Sequence, residues 1–135
     1  MVGVDLDGTA QQALDVAFEI ASMTGRRLEV VHAWPEHGTY VETLSDQQRR
    51  DMWDRRERGV AEVTAGYAEK YPDVQVTSRI VDEAPAVALA TASETAAHVV
   101  VGTRGPGRLR HRFASVSRAV VEHSHCPVTV VRQPQ

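Results

Sequence analysis

An α/β fold with a doubly wound, five-stranded parallel sheet is predicted by three observations along the 135 residues. Short apolar runs alternate with helical patterns from end to end, which places helices on both faces of a mainly parallel sheet. Gly and Pro punctuate those runs, and no internal repeat, low-complexity segment or linker interrupts them. Right-handed crossovers leave few strand orders, of which 3-2-1-4-5 is the expected one.

Each element has its own signal. Val2-Gly3-Val4 reads as a buried first strand. Thr9 precedes a helix whose apolar stripe is Ala13, Leu14, Ala17, Phe18 and Ala21, ending near Gly25. Residues 28–34 form a second strand that Pro35 stops. Ser45, with Gln48 three residues on, makes a capping box for a long amphipathic helix through Trp53, Val60, Val63 and Tyr67. Residues 74–81 alternate as a strand exposed on one face. Pro85 stands where a helix begins, with Val87, Ala88, Leu89 and Ala92 as its core face. Residues 98–101 and 127–131 supply the fourth and fifth strands.

Composition narrows the class. The length suits a single domain over residues 1–135. Apolar residues make up 42 % and charged residues 24 %, as in a globular protein, and no apolar run approaches the roughly 20 residues of a membrane span. No export signal is read at the N-terminus, and the one cysteine, Cys126, fits a reducing compartment, so a cytoplasmic location is expected. The net charge of −3 argues against nucleic acid as the main partner. Arg104, Arg108, Arg110, Arg112 and Arg118, with no acid between Thr103 and Val121, would nonetheless suit an anion, or simply a solvated basic loop.

Those arginines surround the most informative stretch. Val99-Val100-Val101-Gly102-Thr103-Arg104-Gly105-Pro106-Gly107 takes an apolar strand into a glycine-rich loop, and a helix follows. Glycines at a strand end bring backbone N–H groups close to a ligand, and a helix N-terminus suits phosphate. In the 3-2-1-4-5 order, strands 1 and 4 are neighbours where the winding reverses. Asp5 and Gly102 end those strands, at the crevice where such sheets bind ligands.

Further residues carry a resemblance. They are Val2-Gly3-Val4-Asp5, Ala13-Leu14, Val31-His32-Ala33, Pro85-Ala86, Val100-Val101-Gly102-Thr103-Arg104-Gly105, Ser115-Val116-Ser117-Arg118-Ala119-Val120-Val121 and His125-Cys126-Pro127-Val128. With them the chain resembles the universal stress protein family over nearly its whole length. The resemblance implies the adenine-nucleotide alpha-hydrolase-like form of the fold, a homodimer through the last strands and a cytoplasmic role in stress survival. Many members bind ATP; others lack the motif and do not.

ATP-binding members carry a glycine, two residues, a second glycine, nine residues, then glycine and serine or threonine. Gly102 and Gly105 match, but only eight residues follow before Ala114-Ser115, so the loop is one residue short and its third glycine is alanine. Alanine is costly where φ must be positive and tolerable where the position is already helical. The roles implied by the resemblance place Asp5 near the adenosine and the Ala33 backbone at the adenine edge. Gly102 and Gly105 would line the ribose and phosphates, and Ser115 with the Val116 amide would cap the phosphates at a helix start. Apart from the resemblance, Arg104 or Arg108 is expected to compensate the shortened loop with charge-assisted bonds, and Val101 and Gly107 complete the expected contact set. ATP, with Mg²⁺ if bound, is the expected ligand of a regulator that binds and dimerises without turnover. The alternative is an interaction module of the same fold with an occluded or degenerate site.

One motif points elsewhere. Asp5-Leu6-Asp7-Gly8-Thr9 matches the D-x-D-G-T signature of dehalogenase-type phosphotransferases, in which two aspartates at a strand end reach one phosphate. The remaining parts do not follow: the sole lysine, Lys70, precedes the third strand, and Gly102-Thr103-Arg104 stands where an acidic pair would hold Mg²⁺. Asp7 is read as a turn residue. His123, His125 and Cys126 resemble a metal cluster but project differently from a helix end, and His32 is read as a satisfied core histidine.

Overall fold

A computed structural model describes residues 1–35, 39–103 and 110–132, with backbone alone at 39–40 and 110–115. The elements run β1 (Val2–Gly3), α1 (Gln11–Thr24), β2 (Leu28–Ala33), α2 (Thr39–Glu42), α3 (Asp46–Thr64), α4 (Tyr67–Lys70), β3 (Val76–Val81), α5 (Pro85–Ser93), β4 (Val99–Thr103), α6 (Arg110–His123) and β5 (Val128–Arg132). The strands form one sheet in the order β3-β2-β1-β4-β5, every pairing parallel. This is the predicted doubly wound fold. No helix among the described residues is long and apolar enough to cross a membrane.

Strand alternation sends successive side chains to opposite faces and builds two cores. On one face Val2, Val30 and Val100 pack under α1, with Leu14, Ala17, Phe18 and Ala21 from the predicted stripe, and Val60 and Tyr67 closing the layer. Val31, Val99 and Val101 point to the other face and meet Leu89 of α5 and Val120 of α6. The ring of Phe18 stacks on Tyr67 with centroids 4.4 Å apart and on Tyr71 at 5.6 Å. The Tyr67 hydroxyl donates to Asp15 Oδ1 at 2.8 Å and accepts from Gln11 Nε2 at 2.7 Å, tying α4 to α1. Burial and the Asp15 carboxylate raise the Tyr67 pKa, so the phenol stays a donor.

Helix boundaries follow their local chemistry. Ser45 caps α3 through the predicted box: its Oγ accepts from the Gln48 N–H, and the Gln48 side chain accepts from the Ser45 N–H at 2.8 Å. Gly25 ends α1 at φ +62°, with its N–H and that of Arg26 turned back onto the last helical carbonyls. A side chain there would be strained, which is why glycine stops this helix. Pro85 opens α5 at its first turn.

Several boundaries differ from expectation. The first strand ends at Gly3, although the Val4 N–H still bonds the Val31 carbonyl at 2.9 Å. Ala10, not Thr9, precedes α1, because Thr9 turns its N–H and hydroxyl onto Asp7 Oδ1. The long helix stops at Thr64 and Tyr67 belongs to α4, the break falling at Gly66, a residue that favours helix ends. β3 starts at Val76 and is exposed on both faces over its first four residues, because it is an edge strand. Val87 is half exposed instead of in the core, since the buried face of α5 is set by Ala88, Leu89 and Ala92. β4 and β5 each begin one residue later than expected, at Val99 and Val128.

Candidate functional site

The carboxyl ends of β1, β2 and β4 open into a cleft of about 490 Å³, at the predicted reversal of winding. β1 delivers Val4 and Asp5, β2 delivers His32 and Ala33 with Trp34 and Pro35 beyond it, and β4 delivers Gly102 and Thr103. Pro85 and Leu89 of α5, Arg56 of α3 and Val116 of α6 complete the walls. Of the expected contact residues, Asp5, Ala33, Gly102 and Val116 are thereby brought together.

Gly102 is distinguished by what surrounds it. A Cβ on Gly3 would lie 2.7 Å from Leu89 Cδ1, and one on Gly59 would lie 2.9 Å from Leu6 Cδ1, so those glycines admit neighbouring side chains. A Cβ on Gly102 would meet Ala13 Cβ at 3.7 Å and the Thr9 carbonyl at 4.0 Å, which are ordinary contacts. Neither the fold's packing nor a positive φ requires glycine there. Close approach of a ligand to the β4 backbone would.

Val101 is not among the residues lining the cleft: its side chain is buried with Leu89 and Val120 on the α5/α6 face of the sheet. Arg104, Gly105 and Gly107 lie outside the described residues. The helix start at Ser115 is also corrected: α6 begins at Arg110, so Ser115 and Val116 are its sixth and seventh residues. Only the first four N–H groups of a helix lack an internal acceptor, so these two amides are committed to the helix. The physical reason lies in the intervening sequence, Arg110-His111-Arg112-Phe113-Ala114, which contains no Gly or Pro to break helical dihedrals. The same result removes the penalty of Ala114, whose position is helical.

The two aspartates of the N-terminal motif diverge. Asp5 lines the cleft, its Oδ1 accepting from the Leu6 N–H at 2.9 Å. Asp7 is exposed and its Oδ1 accepts from the Thr9 N–H at 3.0 Å, the geometry of a turn. Cys126 is half-buried against the Val99–Val101 side of the core, and the His125 N–H bonds buried Ser93 Oγ at 2.9 Å. Among the described residues, no group of His, Cys, Asp and Glu is placed to hold a metal ion.

Two cleft residues escaped the sequence reading. Arg56 stands four residues before buried Val60 on α3, which puts both on the sheet-facing side. Its guanidinium carbon lies 3.5 Å from the Trp34 ring centroid, and its Nη1 lies 3.2 Å from His32 Nε2. The i,i+4 relation to Val60 was the available signal. His32 is buried and hydrogen-bonded as expected, its Nδ1 3.0 Å from the Val4 carbonyl.

Comparison with known proteins places this geometry. The family model described as "Universal stress protein family" matches residues 1–132. Universal stress protein Rv1996 of Mycobacterium tuberculosis is 36 % identical over 139 residues, an alignment that covers 100 % of this chain and 44 % of the relative. The chain therefore spans less than half the length of that curated relative. Among solved structures, a universal stress protein from Archaeoglobus fulgidus in complex with dAMP superposes with a TM-score of 0.64 at 23 % identity, covering 96 % of this chain and 94 % of that one. A universal stress protein in complex with cAMP gives 0.67 at 21 % identity, covering 97 % and 93 %. At that identity these two superpositions speak for the shared fold.

Proposed function

The chain belongs to the universal stress protein family, and from that premise we propose that residues 1–135 act as one adenine-nucleotide-binding unit. ATP is the first ligand to test, held at the carboxyl ends of β1 and β4. The observation that carries the reading is Gly102, a glycine that neither packing nor a positive φ requires, beside Asp5 and Ala33 in a cleft of suitable size. The dAMP and cAMP complexes of similarly folded proteins support it. In this reading Asp5 faces the ribose, the Ala33 backbone reads the adenine edge, and Val116 packs against the ligand. Mg²⁺, where present, travels with the phosphates. The protein serves a cytoplasmic stress response as a regulator, by binding and assembly instead of turnover.

A titration of the full chain with ATP tests this. Saturable binding with a Kd below about 1 mM, a free energy of about −4 kcal/mol or better, is expected. Heats or spectra that stay linear to that concentration would leave the second reading, an interaction module of the same fold. One observation favours that second reading: the Ser115 and Val116 amides sit inside α6, where they are committed to helical bonds.

The assembly we propose uses β5. The two sheet edges differ in balance: β3 exposes Val76 but then three polar or charged residues, Thr77, Ser78 and Arg79, with Arg79 Nε 3.0 Å from Glu29 Oε1, whereas β5 exposes Val130 and only its last residue, Arg132, is an exposed charge. Polar and charged edges resist pairing, and apolar ones invite it. A second copy pairing along β5 across a two-fold axis would cover that edge. Sedimentation at micromolar concentration is expected to show a dimer, and Val130→Lys to shift it toward monomer. A wild-type chain that sediments only as monomer contradicts this.

A further inference from the structure

The wall of the cleft formed by β2 and α3 carries three side chains whose donors and acceptors fix a protonation state. His32 Nδ1 is 3.0 Å from the Val4 carbonyl oxygen, which can only accept. His32 Nε2 is 3.2 Å from Arg56 Nη1, which can only donate. Both contacts are satisfied by one form of the ring alone: neutral, with its hydrogen on Nδ1 and a lone pair on Nε2. The guanidinium carbon of Arg56 lies over Trp34, 3.5 Å from the ring centroid, and both residues line the cleft. Charge and stacking together make this a cation–π contact.

We propose that His32 is a proton-operated latch on the ligand cleft: the neutral ring holds Arg56 against Trp34, and protonation releases it and weakens ligand retention. A proton on Nε2 would turn the acceptor into a donor and set two cations face to face. The wall then loses the His32–Arg56 hydrogen bond and gains a repulsion between two cations, which disfavours the stacked position of the guanidinium over Trp34. Among the described residues, charged groups face His32 from two sides and an apolar one from a third. Arg56 approaches from α3 and Asp5 from the end of β1, while β3 places apolar Ile80 in register.

Burial lowers the His32 pKa, and Arg56 lowers it further; the bond to Val4 and the charge of Asp5 oppose them. The folded ring therefore takes up its proton below the ordinary histidine value of about 6.5. The unfolded chain binds that proton first as pH falls. Stability contributed by the neutral ring is thus intact above about pH 6.5 and is lost as pH drops toward the folded value.

The latch is a property of the cleft wall and is measurable without ligand; only its effect on retention rests on the nucleotide reading. Trp34 and Trp53 are the two tryptophans, so Trp53→Phe leaves Trp34 as the sole indole reporter. Its emission, followed from about pH 8 to about pH 5, is expected to step with the same midpoint as the His32 ring nitrogens in ¹⁵N spectra. Those spectra are expected to show the Nδ1–H form above the step. In Arg56→Met the emission step disappears while the ring still titrates, at higher pH, which separates a latch from a general acid-induced loosening. An Nε2–H ring, a flat Trp34 emission through the ring's titration, or a step that persists in Arg56→Met would overturn the proposal.

Ligand retention is read by comparing ATP affinity at the two ends of that range in wild type and in His32→Gln, which cancels the titration of ATP itself. Wild type is expected to weaken several-fold more than the variant on acidification, up to about tenfold for each unit by which binding shifts the His32 pKa. Equal weakening in both, alongside a normal emission step, overturns the coupling to ligand. No ATP binding at either pH overturns the nucleotide reading and the retention claim, and the emission step then decides the latch alone.

Discussion

Phe18→Ala is expected to cost about 3–5 kcal/mol, because Phe18 is the largest fully buried side chain among the described residues. The ring is fully buried at the centre of the α1 layer and stacks on Tyr67 and Tyr71. Its removal deletes the buried apolar surface of an aromatic ring and leaves a cavity beneath two other rings. Collapse is hindered because Tyr67 is held by Asp15 and Gln11 through its hydroxyl. For a domain whose total stability is about 5–15 kcal/mol, the variant loses roughly a fifth or more of what keeps it folded. Urea denaturation would show a lower midpoint with an unchanged slope. A loss under about 1 kcal/mol would mean that α1, α4 and the sheet close over the gap far more readily than their hydrogen bonds suggest.

Gly102→Val is expected to do the opposite, removing ligand binding while sparing the fold. A Cβ at this position meets nothing nearer than Ala13 Cβ at 3.7 Å, and a β-branched residue suits a strand. The added methyls occupy the cleft floor beside Asp5 and Thr103, where the nucleotide would approach the backbone. We expect ATP affinity to fall by at least about a hundredfold, ~2.7 kcal/mol, with the urea midpoint nearly unchanged. Undiminished affinity would place the ligand elsewhere on the molecule. Together the two variants separate what holds the sheet from what the sheet holds.

The residues that could be read in advance were those whose pattern is local. The strand order followed from alternation of apolar runs with helices, and the α1 stripe from 3.6-residue spacing. The Ser45–Gln48 box and the Pro85 start are likewise chemistry within a few positions. Asp5, Ala33 and Gly102 converge because strand ends in this topology must meet where the winding reverses. The start of α6 was not legible in the same way. A motif spacing suggested a helix beginning at Ser115, whereas the intrinsic preference of residues 110–114 carries the helix five positions earlier. Arg56 and Trp34 were missed because their meeting depends on how α3 lies across β2, which no short window of sequence contains. Val87 shows the converse: apolar by type, it is left half exposed by the rotation of α5 that Leu89 and Ala92 dictate.

The central claim is that an adenine nucleotide occupies the cleft at the carboxyl ends of β1, β2 and β4. Backbone amide resonances recorded while ATP is added to the full chain test it most directly. The largest shifts are expected at Asp5, Ala33, Gly102 and Thr103, saturating together, with the opposite end of the sheet, around Leu28 and Val76, unmoved. Shifts that are absent, or that cluster away from those strand ends, would contradict it.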